Sequence, residues 1–279
     1  MSASSVGRES ATVATSWTPV RAEPSHRSEL VTQWLCGELL ERVEQSDAWV
    51  RARGEDGYEG WTTAGPLLEL TADERDRWRL QATCRSLGVD LVPADRDAGG
   101  SIPHRLPWGA RSRMLSNGLV ELPGGSRARP VDAGRLVLGA DLESRFPATG
   151  RAALETAASW VGAPYLWGGR TLAGADCSGF VQAVYAVHGC RLPRDSRDQH
   201  AAGPHLGRLA PEACEPGDLL FFTPEGDGIT HVGIAGEAGR ILHAAAGNGD
   251  VRWNDLGGAA RLERVLATSL VAVTRPIGS

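Results

Sequence analysis

Past residue 146 the spacing of apolar residues changes period once, from helical to alternating, and this change limits the fold more than any other feature of the chain. The stretch 148–160 is Ala-rich and helix-forming, and Gly162 and Pro164 end it. Phe180, Val181, Val184 and Tyr185 then recur at helical spacing, which predicts a second helix with one buried face. Strand-like runs follow at 217–222, 229–235, 240–246 and 269–273. Helices first and an antiparallel meander after them make an α+β domain.

The N-terminal half has a different rhythm. Short strand-like runs at 30–35, 39–43, 48–52 and 58–62 are separated by Gly-rich and polar turns, the pattern of a small β-barrel. A charged connector, Thr71-Ala72-Asp73-Glu74-Arg75-Asp76-Arg77, follows it. Beyond it the rhythm repeats more weakly. Leu80-Gln81-Ala82-Thr83 opens a strand, Asp97-Ala98-Gly99-Gly100 is a loop, and turn-strand signals recur at 107–110 and 118–125. The expected organisation is therefore two small barrels, 1–71 and 72–145, before an α+β domain, 146–279.

Composition excludes several classes. Of 279 residues 42% are apolar, enough for a sizeable core. The chain has no lysine, and its 29 basic side chains are arginines scattered among acids at a net charge of -5; nucleic acid is not an expected partner. No run approaches the roughly 18–20 apolar residues of a membrane span. In the first 30 residues Val6, Val13 and Val20 are isolated and Arg8 and Glu9 interrupt them, so no leader pattern is read and a cytoplasmic, monomeric protein is expected. Five cysteines, an odd number without a CxxC pair, indicate neither a disulfide framework nor a zinc ribbon.

One cysteine stands apart. Cys177 lies in Asp176-Cys177-Ser178-Gly179-Phe180 at the start of the second expected helix, with Asp176 as its N-cap. The unpaired amides and the dipole there favour thiolate. The turn Gly236-Glu237-Ala238-Gly239 joins the strands that carry His231 and His243, placing the two imidazoles opposite each other or one position off. One ring then serves as base to the thiol and the other fixes its tautomer. A Cys-His-His zinc site would use the same residue types, but no acidic partner accompanies them; no metal or cofactor is expected. Cys36, Cys84, Cys190 and Cys214 have no nearby histidine pattern and read as structural.

Tyr165-Leu166-Trp167-Gly168-Gly169, Asp176-Cys177-Ser178-Gly179-Phe180, Pro216-Gly217-Asp218-Leu219-Leu220-Phe221-Phe222 and His231-Val232-Gly233-Ile234 together resemble the NlpC/p60 cysteine peptidases. The resemblance covers about 146–279. It implies a papain-like core, action on bacterial cell-wall peptides, Cys177 as nucleophile, His231 as general base and His243 as third member. The Cys177 amide and Tyr165 are the expected oxyanion donors.

The N-terminal half resembles bacterial SH3-like modules through Pro19-Val20-Arg21-Ala22-Glu23-Pro24, Leu30-Val31-Thr32-Gln33 and Asp56-Gly57-Tyr58-Glu59-Gly60-Trp61. Two such modules before the peptidase domain look like the γ-D-glutamyl-L-diamino-acid peptidases that recycle murein tri- and tetrapeptides with a free N-terminal L-Ala. This implies Tyr58 as the residue closing the cleft, with Glu29 helping to hold the amine. Asp176, Ser178, Asp195 and Ser196 are further candidates for the amine. Arg194 is a candidate for the α-carboxylate of D-Glu, and Trp167 for substrate contact. The alternatives are a secreted endopeptidase acting on intact wall and a non-catalytic module that binds wall peptides.

Overall fold

The computed structural model describes residues 9–94, 103–226 and 228–278. The chain divides into two compact units, residues 1–141 and 142–279. In the first, seven antiparallel strands lie in the order Leu30–Leu35, Trp17–Arg21, Glu59–Thr63, Trp49–Arg53, Leu39–Ser46, Ser10–Val13, Leu67–Leu70. Inward positions alternate along Trp17–Arg21, Trp49–Arg53 and Glu59–Thr63, and Val13, Val20, Trp34, Leu40, Val50 and Ala52 form the core. Three of these strands add to the four expected from the sequence. Ser10–Val13 and Leu67–Leu70 are four residues each, too short for alternation to register, and Pro19 interrupts Trp17–Arg21.

A second sheet in the same unit runs Arg127–Pro130, Val120–Glu121, Arg105–Met114, Cys84–Pro93, Leu136–Val137. Arg127–Pro130 also pairs with Cys84–Pro93, which closes four strands into a barrel. Leu35 and Cys36 enter its core beside Cys84, Leu106 and Leu122, and the Arg111 amide donates to the Cys36 carbonyl at 2.8 Å. The two sheets share buried residues and form one unit.

The charged stretch after Leu70 is not a linker. Thr71 caps a helix, Ala72–Gln81, accepting from the Glu74 amide at 3.3 Å while the Glu74 carboxylate accepts from the Thr71 amide at 2.8 Å. The helix takes up Leu80 and Gln81, so the strand expected there begins at Cys84. It buries no residue, hence no apolar periodicity betrays it; Trp78 Nε1 ties it to the Gly37 carbonyl at 2.8 Å. The expected loop at Asp97-Ala98-Gly99-Gly100 lies outside the described residues.

The second unit holds a six-stranded antiparallel sheet in the order His205–Gly207, Leu270–Thr274, Leu219–Phe222, His231–Ala235, Arg240–Ala245, Asp250–Asp255. Leu220, Phe222, Ala235, Ile241, Leu270 and Val273 pack with Leu256 and with Leu266 of the helix Arg261–Ser269. The helix Gly150–Ala158, capped by Thr149, buries Ala153 and Ala157. The helix Cys177–Val187 buries ten of its eleven residues rather than one face. Its sequence contains no charged side chain, so no side of it prefers water. Among the described residues no helix is long and apolar enough to cross a membrane.

Candidate active site

Asp176 sits in extended backbone at the start of the helix Cys177–Val187, and its carboxylate accepts from the Gly179 amide at 2.7 Å. The Gly168 amide donates to its other oxygen at 2.8 Å. One carboxylate thus joins the Gly168-Gly169 turn to the first turn of the helix. A Cβ at Gly179 would lie 2.1 Å from the Gly169 carbonyl oxygen, so the contact admits no larger residue. Cys177 is held in that first turn, 8% exposed, with Sγ 4.0 Å from the carbonyl oxygen of Thr230, the residue before His231.

Arg194 completes this network. It is 2% exposed. Its two terminal nitrogens grip Asp176 at 3.0 and 2.6 Å, and one donates to Ser178 Oγ at 2.8 Å. The fork geometry of guanidinium and carboxylate accounts for the choice of Arg. Asp176 and Ser178 are consumed by the same contacts. Three of the residues expected to touch substrate are bonded to one another in the frame around the nucleophile.

The histidine hairpin differs from the expected register. Ile234 pairs with Leu242 and Ala235 with Ile241, so His243 faces Gly233, and His231 lies two residues further along the strand. The rings meet diagonally on one face. Gly233 makes this possible, because a Cβ there would lie 2.5 Å from Ile241 Cδ1 and 2.9 Å from His243 Cβ. His231 Nε2 and His243 Nδ1 are 2.7 Å apart. His243 Nε2 continues to Asn254 Oδ1 at 2.9 Å. Asn254 lies on the next strand, and its Oδ1 also accepts from Asn248 Nδ2 at 2.8 Å. Sequence reasoning missed Asn248 and Asn254. The signal for them was the turn Gly247-Asn248-Gly249-Asp250, which hands the chain to one more alternating strand, Val251 and Trp253 against Arg252 and Asn254.

Burial governs protonation here. It pushes the Cys177 thiol up to about 12, with the Asp176 charge adding; the Val232 and Ser178 amides and Arg194 oppose it and lose. Burial thus opposes the thiolate expected from the helix start, because it disfavours the anion. Burial and the neighbouring His243 push His231 down to about 3. His243, fully buried, is also lowered, chiefly by burial. These directions favour a neutral thiol at Cys177 and neutral imidazoles at His231 and His243. Tyr165, half-buried, is raised by burial and by the charge of an ionised Cys177, so its phenol keeps its proton and remains a donor.

Trp167 is 59% exposed, so it is not core. Asp195 is exposed and Ser196 buried at the start of the helix Ser196–Ala202. Glu29 and Tyr58 belong to the N-terminal unit, Glu29 exposed just before the strand Leu30–Leu35, and Tyr58 half-buried in the 54–58 turn. The remaining cysteines are free thiols, like Cys177.

Residues 162–268 match the NlpC/P60 family, and residues 20–64 match the bacterial dipeptidyl-peptidase Sh3 domain. The chain carries an NlpC/P60 domain. It is therefore a hydrolase of the cysteine-peptidase type, with an SH3-like β domain ahead of the catalytic one. A gamma-D-glutamyl-L-lysine dipeptidyl-peptidase of Bacillus cereus is 27% identical over 235 residues, 79% of this chain and 68% of the relative. A Bacillus subtilis protein of the same name is 42% identical over 93 residues, 33% of this chain and 30% of that relative. The crystal structure of an NlpC/P60 family protein from Bacillus cereus superposes with a TM-score of 0.80 at 20% identity, over 96% of this chain and 99% of that one; the fold is shared.

Proposed function

We propose that this NlpC/P60 protein cuts the γ-D-glutamyl–diamino-acid bond of murein peptides that carry a free N-terminal L-Ala, in the recycling of wall peptides in the cytoplasm. The reading is carried by one observation: similarity to a gamma-D-glutamyl-L-lysine dipeptidyl-peptidase extends over 79% of the chain. The match of residues 20–64 to a dipeptidyl-peptidase Sh3 domain supports the same reading.

Cys177 is the nucleophile and His231 the general base. His231 Nδ1 takes the thiol proton as Sγ bonds to the γ-carbonyl carbon. The oxyanion is met by the Cys177 amide and the Tyr165 phenol. The carbon–nitrogen bond breaks as His231 returns the proton to the leaving amine. Water then adds to the thioester, gives its proton to His231, and displaces Sγ, which regains it. Asp195 and Ser196 are assigned to the ammonium of L-Ala, because Asp176 is already held by Arg194.

The test compares L-Ala-γ-D-Glu-meso-diaminopimelate, its L-Lys counterpart, the N-acetylated forms and intact sacculi by product mass. Release of L-Ala-D-Glu from the free peptides, abolished by Cys177→Ala, is the expected result. Cleavage of acetylated peptide or sacculi at a comparable rate would favour a wall endopeptidase instead. Cell fractionation checks the cytoplasmic assignment.

A further inference from the structure

Asn254 meets His243 through an amide that could face it with either end, and the two orientations give opposite protonation patterns in the histidine pair. The residue that decides is Glu263, in the first turn of the helix Arg261–Ser269. Its Oε1 lies 3.3 Å from Asn254 Nδ2 and accepts from the Asp255 amide at 3.1 Å. Its Oε2 accepts from the Ala260 amide at 3.0 Å. Neighbouring backbone leaves room for it, since a Cβ at Gly258 would lie 2.0 Å from Oε2.

We propose that Glu263 is a positioning residue that sets the tautomers of both histidines through Asn254. A carboxylate only accepts hydrogen bonds, so Asn254 must turn its NH2 toward Glu263 and its oxygen toward His243. His243 Nε2 must then carry the proton, which leaves Nδ1 as an acceptor. His231 Nε2 must donate to that Nδ1, which leaves His231 Nδ1 with a bare lone pair, the form a general base needs. Asn248 Nδ2 lies 2.8 Å from Asn254 Oδ1 and 3.5 Å from His243 Nε2, and its bond is to the nearer oxygen, which leaves the His243 Nε2 proton to Asn254. Every link in the chain follows from the Glu263 carboxylate, the one group in it that can only accept. Three elements of the fold meet in it: the histidine hairpin, the adjoining strand and the C-terminal helix.

The inference rests on the reading of His231 as base, and its test does not depend on turnover. In the full chain labelled with 15N-histidine, NMR reports the tautomer of each ring directly. Both His231 and His243 are expected as the Nε2–H form in the wild type. Glu263→Ala should lose the single His243 tautomer and lower kcat at least about tenfold, with KM little changed. Glu263→Gln keeps an acceptor for Asn254 and should retain the tautomers and most of kcat. Ala260→Pro suits the local φ of −65° and removes one capping bond alone; it should lower the melting temperature and leave tautomers and kcat near wild type. An Nδ1–H His243 in the wild type would overturn the proposal, as would a Glu263→Ala variant that loses stability but keeps tautomer and kcat. Should Cys177→Ala retain cleavage, the functional reading falls while the tautomer assignment stands.

Discussion

Arg194 offers the sharpest test of what holds this site together, because two roles for it predict opposite outcomes. Arg194 is 2% exposed, and its guanidinium bonds Asp176 at two points and Ser178 Oγ at a third, Asp176 being itself 6% exposed. Replacement by Met keeps the volume and removes the charge and the fork. Asp176 is left buried with its two amide donors, Gly168 and Gly179, and no cation. Breaking a buried pair from one side costs about 3–5 kcal/mol, the penalty of the stranded charge. For a unit of this size a kilocalorie moves the midpoint by roughly 3 °C. Thermal unfolding of the full chain should therefore show the C-terminal unit melting roughly 9–15 °C lower. Arg194→Lys should recover part of the loss, since a point charge cannot replace the fork. If Arg194 served a substrate carboxylate instead, the variant would melt normally and show only a raised KM. A shift under about 2 °C would refute the frame described above.

The thiol and the hairpin give two further predictions. Cys177 should alkylate slowly with iodoacetamide in the empty enzyme, its rate climbing through the alkaline range toward the value of about 12 set by burial; peptide mapping that found a rate plateau below pH 8 would contradict a neutral resting thiol. The same shift has a sign in stability. The folded state keeps a proton that the unfolded thiol releases above about 8.5, so this contribution is full below that pH and is lost as pH rises toward 12. Gly233→Ala should force Ile241 and His243 aside, cost about 1–3 kcal/mol of overpacking, and lower kcat by disturbing the 2.7 Å contact between the rings. A variant with unchanged melting and kcat would show that the diagonal pairing does not depend on the missing Cβ.

Much of this arrangement was legible in the chain because each visible part had a local cause. The nucleophile turn announced itself through a capping Asp before an apolar helix, and the hairpin through its Gly-rich turn between alternating runs. What stayed hidden depended on partners far away in sequence. Arg194 reads from the sequence as a candidate for a substrate carboxylate, since nothing local shows that Asp176, eighteen residues earlier, pairs with it. The helix Ala72–Gln81 was masked by its charge, as it buries nothing. The strand Asp250–Asp255 and the helix Arg261–Ser269 fall between the expected runs 240–246 and 269–273, where no element is expected from the sequence, and with them go Asn254 and Glu263. The hairpin register was missed by a small margin because the turn fixes only approximately where pairing starts; the bulk of Ile241 and His243 against Gly233 fixes the rest.

Neutral, weakly basic imidazoles look ill suited to deprotonating a buried thiol, yet the proposed reaction needs a strong acid as much as a base. A carboxylate placed directly on His231 would stabilise its imidazolium and ease attack, but it would also make that imidazolium a poorer acid toward the leaving amine. Here the partner of His231 is another neutral ring, and the charge of Glu263 reaches it only through Asn254 and His243. The imidazolium formed on attack is therefore weakly held and gives up its proton readily. It arises next to the developing thiolate and oxyanion, whose charges support it only while the tetrahedral species exists. Amines leave badly without a proton, so a site that favours the acidic half of the cycle fits an amide-cleaving peptidase. A neutral chain of hydrogen bonds behind the base is one way to obtain that balance without burying an unpaired charge.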